Sequence, residues 1–343
     1  MLPKVAIIYN EPSPSRYDAM GEGTAVHGVL EEVNAVEQAL VEAEYPLLRV
    51  PLHPPLEHVR DVLQALPADL VFNLFEGFDG CPETEALVAD MLADLGFPFT
   101  GCPSSALALA LDKPRTKALL QASGIMTAAY QVLTPETWHL FHLNLPCIVK
   151  PCQEDASHGL TQESVVKDLA SLERQVAKVS RLFGGKALVE EFLAGDEFNA
   201  TIIGNRNPVV MPISKIAYSL PPGMPAIFTF AAKWEPDSIY SQCANPICPA
   251  EIESGLKQRI TETAIAAFWL LGCRGYARVD MRMDTVGRLM VLEVNPNPDI
   301  SPGCGAARQA GASGMSYRQF IEMVVQLALE REHDEALSPA DGH

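Results

Sequence analysis

The stretch Tyr276-Ala-Arg-Val-Asp-Met-Arg-Met283, followed past a turn at Gly287 by Val291-Leu-Glu-Val-Asn-Pro-Asn-Pro298, decides how this chain is read. Side chains alternate along a strand, so Arg278 and Asp280 project from one face, and Glu293 and Asn295 share a face of the second strand. If the two strands pair through the Gly287 turn, one carboxylate from each meets the other. Two carboxylates and an amide oxygen are hard ligands of the kind magnesium takes together with phosphate oxygens and water. Arg278 adds a planar cation for developing negative charge. Taken singly, each residue reads as an ordinary charge on an exposed sheet face. Four polar residues in phase among Val, Met and Leu, closing in Glu-x-Asn-Pro-x-Pro, favour a metal and phosphate site.

Outward from this hairpin, the first hundred residues alternate strand and helix. Apolar runs at 5–9, 47–52 and 70–74 predict strands. Helical spacing over 31–44, 56–66 and 83–95 predicts the helices between and after them, the last closed by Gly96. That rhythm argues a parallel sheet with covering helices. From Lys113 the texture changes to a small α+β unit: a helix over 114–122, strands at 129–133, 147–150 and 187–192, and a helix over 165–183. Beyond it come strands at 199–203 and 208–215, a Pro-rich stretch over 220–249, a helix over 253–271, the hairpin, and a last helix over 317–331. No internal repeat is found. The expected division is 1–111, an N-terminal α/β domain; 112–189, a central α+β unit; 190–332, a β-rich C-terminal unit; and 333–343, a frayed tail.

The 343 residues are 48% hydrophobic and 20% charged, which excludes a disordered chain and a small disulfide scaffold. No apolar run approaches the roughly 20 residues that span a bilayer, and Met1-Leu2-Pro3-Lys4 before a short strand-like run leads to no expectation of a secretory signal. The net charge of −18 argues against a nucleic-acid surface, although a local gathering of Lys and Arg still suits an anionic nucleotide. The eight cysteines are scattered without a C-x-x-C pair, so a zinc site is not expected. Reduced thiols and a cytoplasmic location are the expectation.

Three further segments carry chemistry in the same direction. Cys147-Ile-Val-Lys150 ends an apolar strand in a lysine, and the loop that follows contains Ser157 and Gly159. Such a loop can bring an ammonium and backbone N–H groups to phosphates, but Asp155 is a poor neighbour for a phosphate, and on this segment alone a strand end with a solvated turn is the stronger reading. In Leu188-Val-Glu-Glu-Phe-Leu-Ala-Gly-Asp-Glu-Phe198 a strand edge can meet an adenine, with Glu197 placed for ribose hydroxyls. Lys113 and Lys233 read singly as solvated surface lysines. No Walker A loop and no G-x-G-x-x-G fingerprint occurs.

The ordered set Asp112-Lys113, Thr116-Lys117, Val149-Lys150-Pro151, Glu190-Glu191-Phe192, Glu197, Lys233, Arg278-Val279-Asp280 and Glu293-Val294-Asn295 resembles the ATP-grasp carboxylate–amine ligases, and within them the D-alanine–D-alanine ligase family. Gly96-Phe-Pro-Phe-Thr-Gly101 ahead of Leu111-Asp-Lys113 adds to the likeness, which covers nearly the whole chain. The resemblance implies a three-part ATP-grasp fold with ATP between the central and C-terminal sheets. It further implies an acyl phosphate that an amine attacks, ATP with two Mg2+ (Mn2+ as a substitute), and a homodimer. By the same likeness Lys113 and Lys150 bind nucleotide phosphates with Ser157, and Glu190 and Leu193 form the adenine hinge. Glu197 meets the ribose, and Lys233 reaches the γ-phosphate. Asp280, Glu293 and Asn295 hold the metal, and Arg278 steadies the oxyanion.

The departures from the family pattern gather on the substrate side. The loop serine position holds Ala156 beside Ser157, and the tyrosine after the lysine is Trp234. A usual histidine is Glu76, the oxyanion glycine is Asp299, and the serine–leucine pair that receives the acceptor carboxylate is Cys304-Gly305. An early glutamate has no secure counterpart, although Glu31 and Glu32 are near. The expected substrates are a small carboxylic acid and an amine, amino acids by family likeness, with neither nucleic acid nor membrane as partner. D-alanine is not expected to be the preferred acceptor. The rivals are a divergent D-alanine–D-alanine ligase and a non-catalytic nucleotide-binding scaffold, which the retained cations and carboxylates disfavour.

Overall fold

The computed structural model describes residues 1–78 and 80–337. Its first part is a parallel sheet in the order Leu47–Leu52, Val5–Asn10, Leu70–Leu74. Every residue of Val5–Asn10 is buried, as a central strand covered on both faces requires. The helix expected over 31–44 runs instead over Thr24–Glu42. Val29 carries the buried stripe of Val33 and Val36 one turn further back than expected, and Gly28 beside it lies under the ring of Trp234, where a Cβ would come within 2.7 Å of the indole. The helix Ser104–Leu111 was not legible, since its strictly alternating Ala and Leu residues have no 3.6-residue period.

The central sheet is antiparallel in the order Tyr130–Leu133, Ala187–Glu191, Cys147–Pro151, Val165–Val166. Ala187–Glu191 straddles the boundary drawn at 189 and pairs wholly within this sheet. The helix expected over 165–183 is correspondingly shorter. The β-branched Val165–Val166 adds to the sheet edge, and the helix Leu169–Leu182 starts only where Asp168 caps it through the N–H of Ser171.

The third sheet runs Ala244–Ile247, Ser214–Tyr218, Glu197–Ile203, Tyr276–Met283, Leu289–Pro296, with Val209–Val210 paired to Glu197–Ile203. The single strand expected over 208–215 is broken in two at Pro212, which has no N–H to give the ladder. The Pro-rich stretch holds two short helices, Phe230–Trp234 and Ile239–Cys243. Ala277, Val279 and Met281 pack with Ile260, Ala264 and Phe268 of the helix Ser254–Leu270 in one apolar core. The alternation of the strand sends Arg278, Asp280 and Arg282 to the opposite face, where all three line a cavity. The last helix is Tyr317–Leu337. It covers the first residues of the expected frayed tail, and 338–343 lie outside the described residues. No described helix is long and apolar enough to cross a membrane.

Candidate active site

A cavity of about 650 Å³ opens between the three sheets, and every candidate residue of the sequence lines it. Arg278 stands opposite Asn295 and Asp280 opposite Glu293, just before a bulge shifts the register. Arg278 grips Asp280 with Nε and Nη2 at 2.8 and 2.9 Å. The side-chain amides of Asn199 and Asn295 donate to the same carboxylate at 2.6 and 2.9 Å. Because Asn295 gives its N–H2 to Asp280, its amide oxygen remains free to turn toward a cation. Among the described residues no three His, Cys, Asp or Glu side chains cluster around a metal position, so the third oxygen donor here is an amide. A hard cation that keeps water and phosphate ligands suits that donor set.

Cations face this acidic pair. Burial opposes ionisation of Glu293, but Lys113, Lys150, Lys233 and Arg278 outweigh it and hold the carboxyl at about 2. Lys113 lies 3.6 Å from Glu293 and donates to the Glu154 carbonyl at 2.6 Å. Lys233 opens onto the cavity, and burial within it, aided by Arg278, lowers its pKa. Glu190, only 1% exposed, sits between Lys117 and Lys150 at 2.9 Å from each. Apolar Ile148, Leu193, Ile216 and Leu292 line the walls beside it, a setting for a flat base. Glu197 accepts from Tyr218 and Arg282 with one oxygen, at 2.8 and 3.2 Å, which leaves its other oxygen without a partner among the described residues. The loop after Lys150 turns through left-handed Ala156 and Ser157, with φ of 46° and 63°. The backbone N–H groups of both make no hydrogen bond to any described residue.

Sequence reasoning missed how this loop is held. Glu22 accepts from His158 Nδ1 at 2.8 Å and from the Gly159 N–H at 3.2 Å. The Tyr17 ring stacks on His158 with centroids 3.9 Å apart, and its hydroxyl donates to Glu154 at 2.7 Å. Arg16 pairs with the same Glu154. Trp234 donates its indole N–H to the Ala156 carbonyl at 3.3 Å. These partners come from irregular, Gly- and Pro-spaced sequence with no periodic signal. The isolated aromatic and acidic residues of 16–22 were the only trace.

The far end of the cavity is acidic. Asp299 caps its own turn, accepting from the Ser301 N–H at 2.7 Å, and its other oxygen accepts the Cys304 thiol at 3.0 Å. Glu32, 4% exposed, accepts the Ile300 N–H at 2.8 Å. Burial, then Asp299 and Glu76, raise its pKa well above the ordinary carboxylate range. Glu76 also lines the cavity. Its side chain is exposed to the solvent of the cavity, but partial desolvation there, then Asp299 and Asp155, push its carboxyl up to about 8 against the pull of Lys233. Burial and the same Asp155 and Glu76 raise Glu85 too. Gly305 begins the helix Gly305–Ala312 beside Arg278.

Residues 119–326 match the family described as D-ala D-ala ligase C-terminus. A D-alanine–D-alanine ligase of Gluconobacter oxydans is 30% identical over 330 residues, covering 96% of this chain and all of that protein. The uncharacterized protein y4sG of Sinorhizobium fredii is 32% identical over 271 residues, 78% of this chain and 76% of its own. In fold, the chain superposes on a Bacillus anthracis D-alanine–D-alanine ligase complexed with ATP at a TM-score of 0.72, with 20% identity over 97% of this chain and 99% of that one. It superposes equally on the VanG D-Ala:D-Ser ligase of Enterococcus faecalis, at 0.73 with 20% identity over 96% and 100%.

Proposed function

The chain belongs to the D-alanine–D-alanine ligase family of ATP-grasp enzymes, ATP-dependent ligases that form C–N bonds, and from that premise we propose that its nucleotide half is conventional and its amino-acid half is rebuilt for other substrates. One observation carries the reading: the paired carboxylates Asp280 and Glu293 share one cavity with Lys113, Lys150, Lys233 and Arg278. Phosphoryl transfer asks for cations and positioning more than for a nucleophilic side chain.

In this reading the base lies between the apolar walls at Leu193 and Leu292, its edge toward Glu190, with the ribose at the free oxygen of Glu197. Lys113, Lys150 and the N–H groups of Ala156 and Ser157 receive the phosphates. Asp280, Glu293 and the amide oxygen of Asn295 would hold magnesium, two ions by family likeness, with manganese as a substitute. The bound metal supplies charge neutralisation at the transferred phosphoryl group. A substrate carboxylate oxygen takes the γ-phosphoryl group and ADP departs. The amine nitrogen then attacks the acyl carbon, phosphate leaves and the amine gives up a proton. Arg278 faces the oxygen that gathers charge in that attack. The loop closed by Glu22, Tyr17 and Trp234 keeps water from the acyl phosphate.

The test is to screen acids and amines for phosphate release that requires both, and to weigh the product by mass spectrometry. Release without a joint product would overturn the ligase reading. A second reading, synthesis of the D-alanine dipeptide, is favoured by the full-length similarity to the Gluconobacter enzyme. Efficient D-alanine dimerisation with no better pair would establish it.

A further inference from the structure

The acidic end of the cavity has no cation committed to it. Glu32, Glu76, Glu85 and Asp299 form no ion pair with any described residue. The positive groups nearby are otherwise engaged or shared. Arg278 is held by both oxygens of Asp280, and Arg308 turns back to the Gly303 carbonyl. Arg16 pairs with Glu154, and Lys233 faces Glu293, Asp280 and Asp155 as well as Glu76. Glu32 is nearly sealed from solvent and lines the cavity, and only one of its oxygens has a hydrogen-bond partner among the described residues. Asn10, 5% exposed, also lines this end. Its carbonyl oxygen fixes the Glu76 N–H at 3.1 Å, while its amide N–H2 has no partner among the described residues. Asp299 meanwhile occupies the turn before the helix Gly305–Ala312 and takes the only thiol hydrogen there for itself.

A carboxylate arriving beside Asp299 meets like charge, whereas an ammonium finds the carboxyl oxygens of Glu32, Glu76 and Asp299 as acceptors. The α-ammonium of an amino-acid donor answers one carboxylate at most. The attacking nitrogen of an ordinary monoamine answers none, because it must be uncharged to attack. Resting on the ligase reading above, we infer that the amine substrate carries a second, non-reacting ammonium group, held between Glu76 and Asp299 while the first nitrogen forms the bond. The group can come from a simple diamine or from a diamino acid. The two sources share this recognition and differ in whether a carboxylate is tolerated near Asp299.

The experiment compares matched amines on purified full-length enzyme with ATP, magnesium and a panel of amino-acid donors: 1,3-diaminopropane against propylamine, and ornithine against norvaline. Phosphate release and product mass are read together. At least one dicationic member is expected to exceed its monoamine partner tenfold or more in kcat/KM. Glu76→Gln is expected to reduce that ratio about tenfold, and Asp299→Asn, which keeps an oxygen for the Ser301 N–H, to do the same. Thermal melting checks that both variants fold, and the KM for ATP checks that the nucleotide half is untouched. Success of the diamine alone, or of both pairs, supports the inference and tells the two sources apart. Monoamines used as well as or better than their partners, or a ratio unmoved in both folded variants, overturn it and leave the ligase reading standing. Absence of joint acid- and amine-dependent release with every pair overturns both.

Discussion

At the scale of single residues, Glu293 and Glu76 show how the same side chain is put to opposite uses. Glu293 is ringed by lysines and Arg278 and stays ionised at about 2 despite burial. Glu293→Gln keeps shape and removes one anionic ligand. Turnover dependent on magnesium is expected to fall by about 10²-fold or more, the scale of losing one preorganised charge contact, with the melting temperature nearly kept. Steady-state kinetics across a magnesium titration check it, and near-normal turnover would remove the hairpin as the metal site. Glu76, though exposed to the cavity's solvent, lies the other way, raised to about 8 by desolvation and by Asp299 and Asp155. A carboxyl raised on folding binds its proton in the native state while the unfolded chain has already released it. It therefore costs stability increasingly as pH rises from about 4.5 to about 8, and the cost is constant above that. Glu76→Gln should thus gain stability relative to the parent across that window and no further. Urea midpoints at several pH values measure it, and a flat difference would show that the carboxyl titrates normally.

At the scale of elements, the legible parts were those whose pattern is local. The buried run of Val5–Asn10, the hairpin Tyr276–Met283 with Leu289–Pro296 and the capped helix Leu169–Leu182 announce themselves by alternation, by a turn glycine or by a stripe. Strand alternation put Arg278 with Asp280 and Glu293 with Asn295 on shared faces, so their meeting was foreseeable if the strands paired, but the bulge between Asp280 and Met281 that sets Asp280 opposite Glu293 left no trace in the sequence. The clasp around the phosphate loop was not. Glu22 and His158 are 136 positions apart, and Trp234 reaches Ala156 from another element again, so no spacing carries their meeting. Gly28 belongs to that clasp. Alanine within a helix usually stabilises by about 0.5–1 kcal/mol relative to glycine, but a Cβ at 28 would stand 2.7 Å from the Trp234 ring. Gly28→Ala is accordingly expected to displace Trp234 from the Ala156 carbonyl and loosen the loop. More ATP should be hydrolysed per product formed, and hydrogen exchange over 154–160 should quicken. Glu22→Ala should do the same from the other side. An unchanged ratio of phosphate to product in both variants would make the clasp irrelevant to water exclusion.

At the scale of the whole molecule, one chain of polar contacts ties the central sheet to the C-terminal sheet. Lys117, on the helix Lys113–Ala122 and 2% exposed, pairs with Glu190 and donates to Thr127 at 2.5 Å. Thr127 in turn donates to the Val291 carbonyl at 2.7 Å, on the C-terminal hairpin. Glu190 also holds Lys150 of the central sheet. Burial alone would raise the Glu190 carboxyl, yet the two lysines pull it below its ordinary value, and burial in turn lowers Lys117. Removing one member of such a set leaves buried charge without its partner, a loss of roughly 3–5 kcal/mol. Glu190→Gln is therefore expected to destabilise the whole chain by about that amount in the absence of nucleotide. Because Lys150 is also assigned to the phosphates, ATP with magnesium supplies the missing anion to that lysine and should restore part of the loss, whereas nothing restores the anion for Lys117. In the parent, ligand at a hundred times its Kd adds about 2.7 kcal/mol by mass action alone. The variant, whose Lys150 has lost its anion, is expected to bind nucleotide more tightly, so its increment should exceed the parent's at equal free ligand concentration. Urea unfolding with and without ATP and magnesium decides it: equal increments would place Lys150 outside the phosphate site and leave Glu190 as a purely structural tie between the sheets.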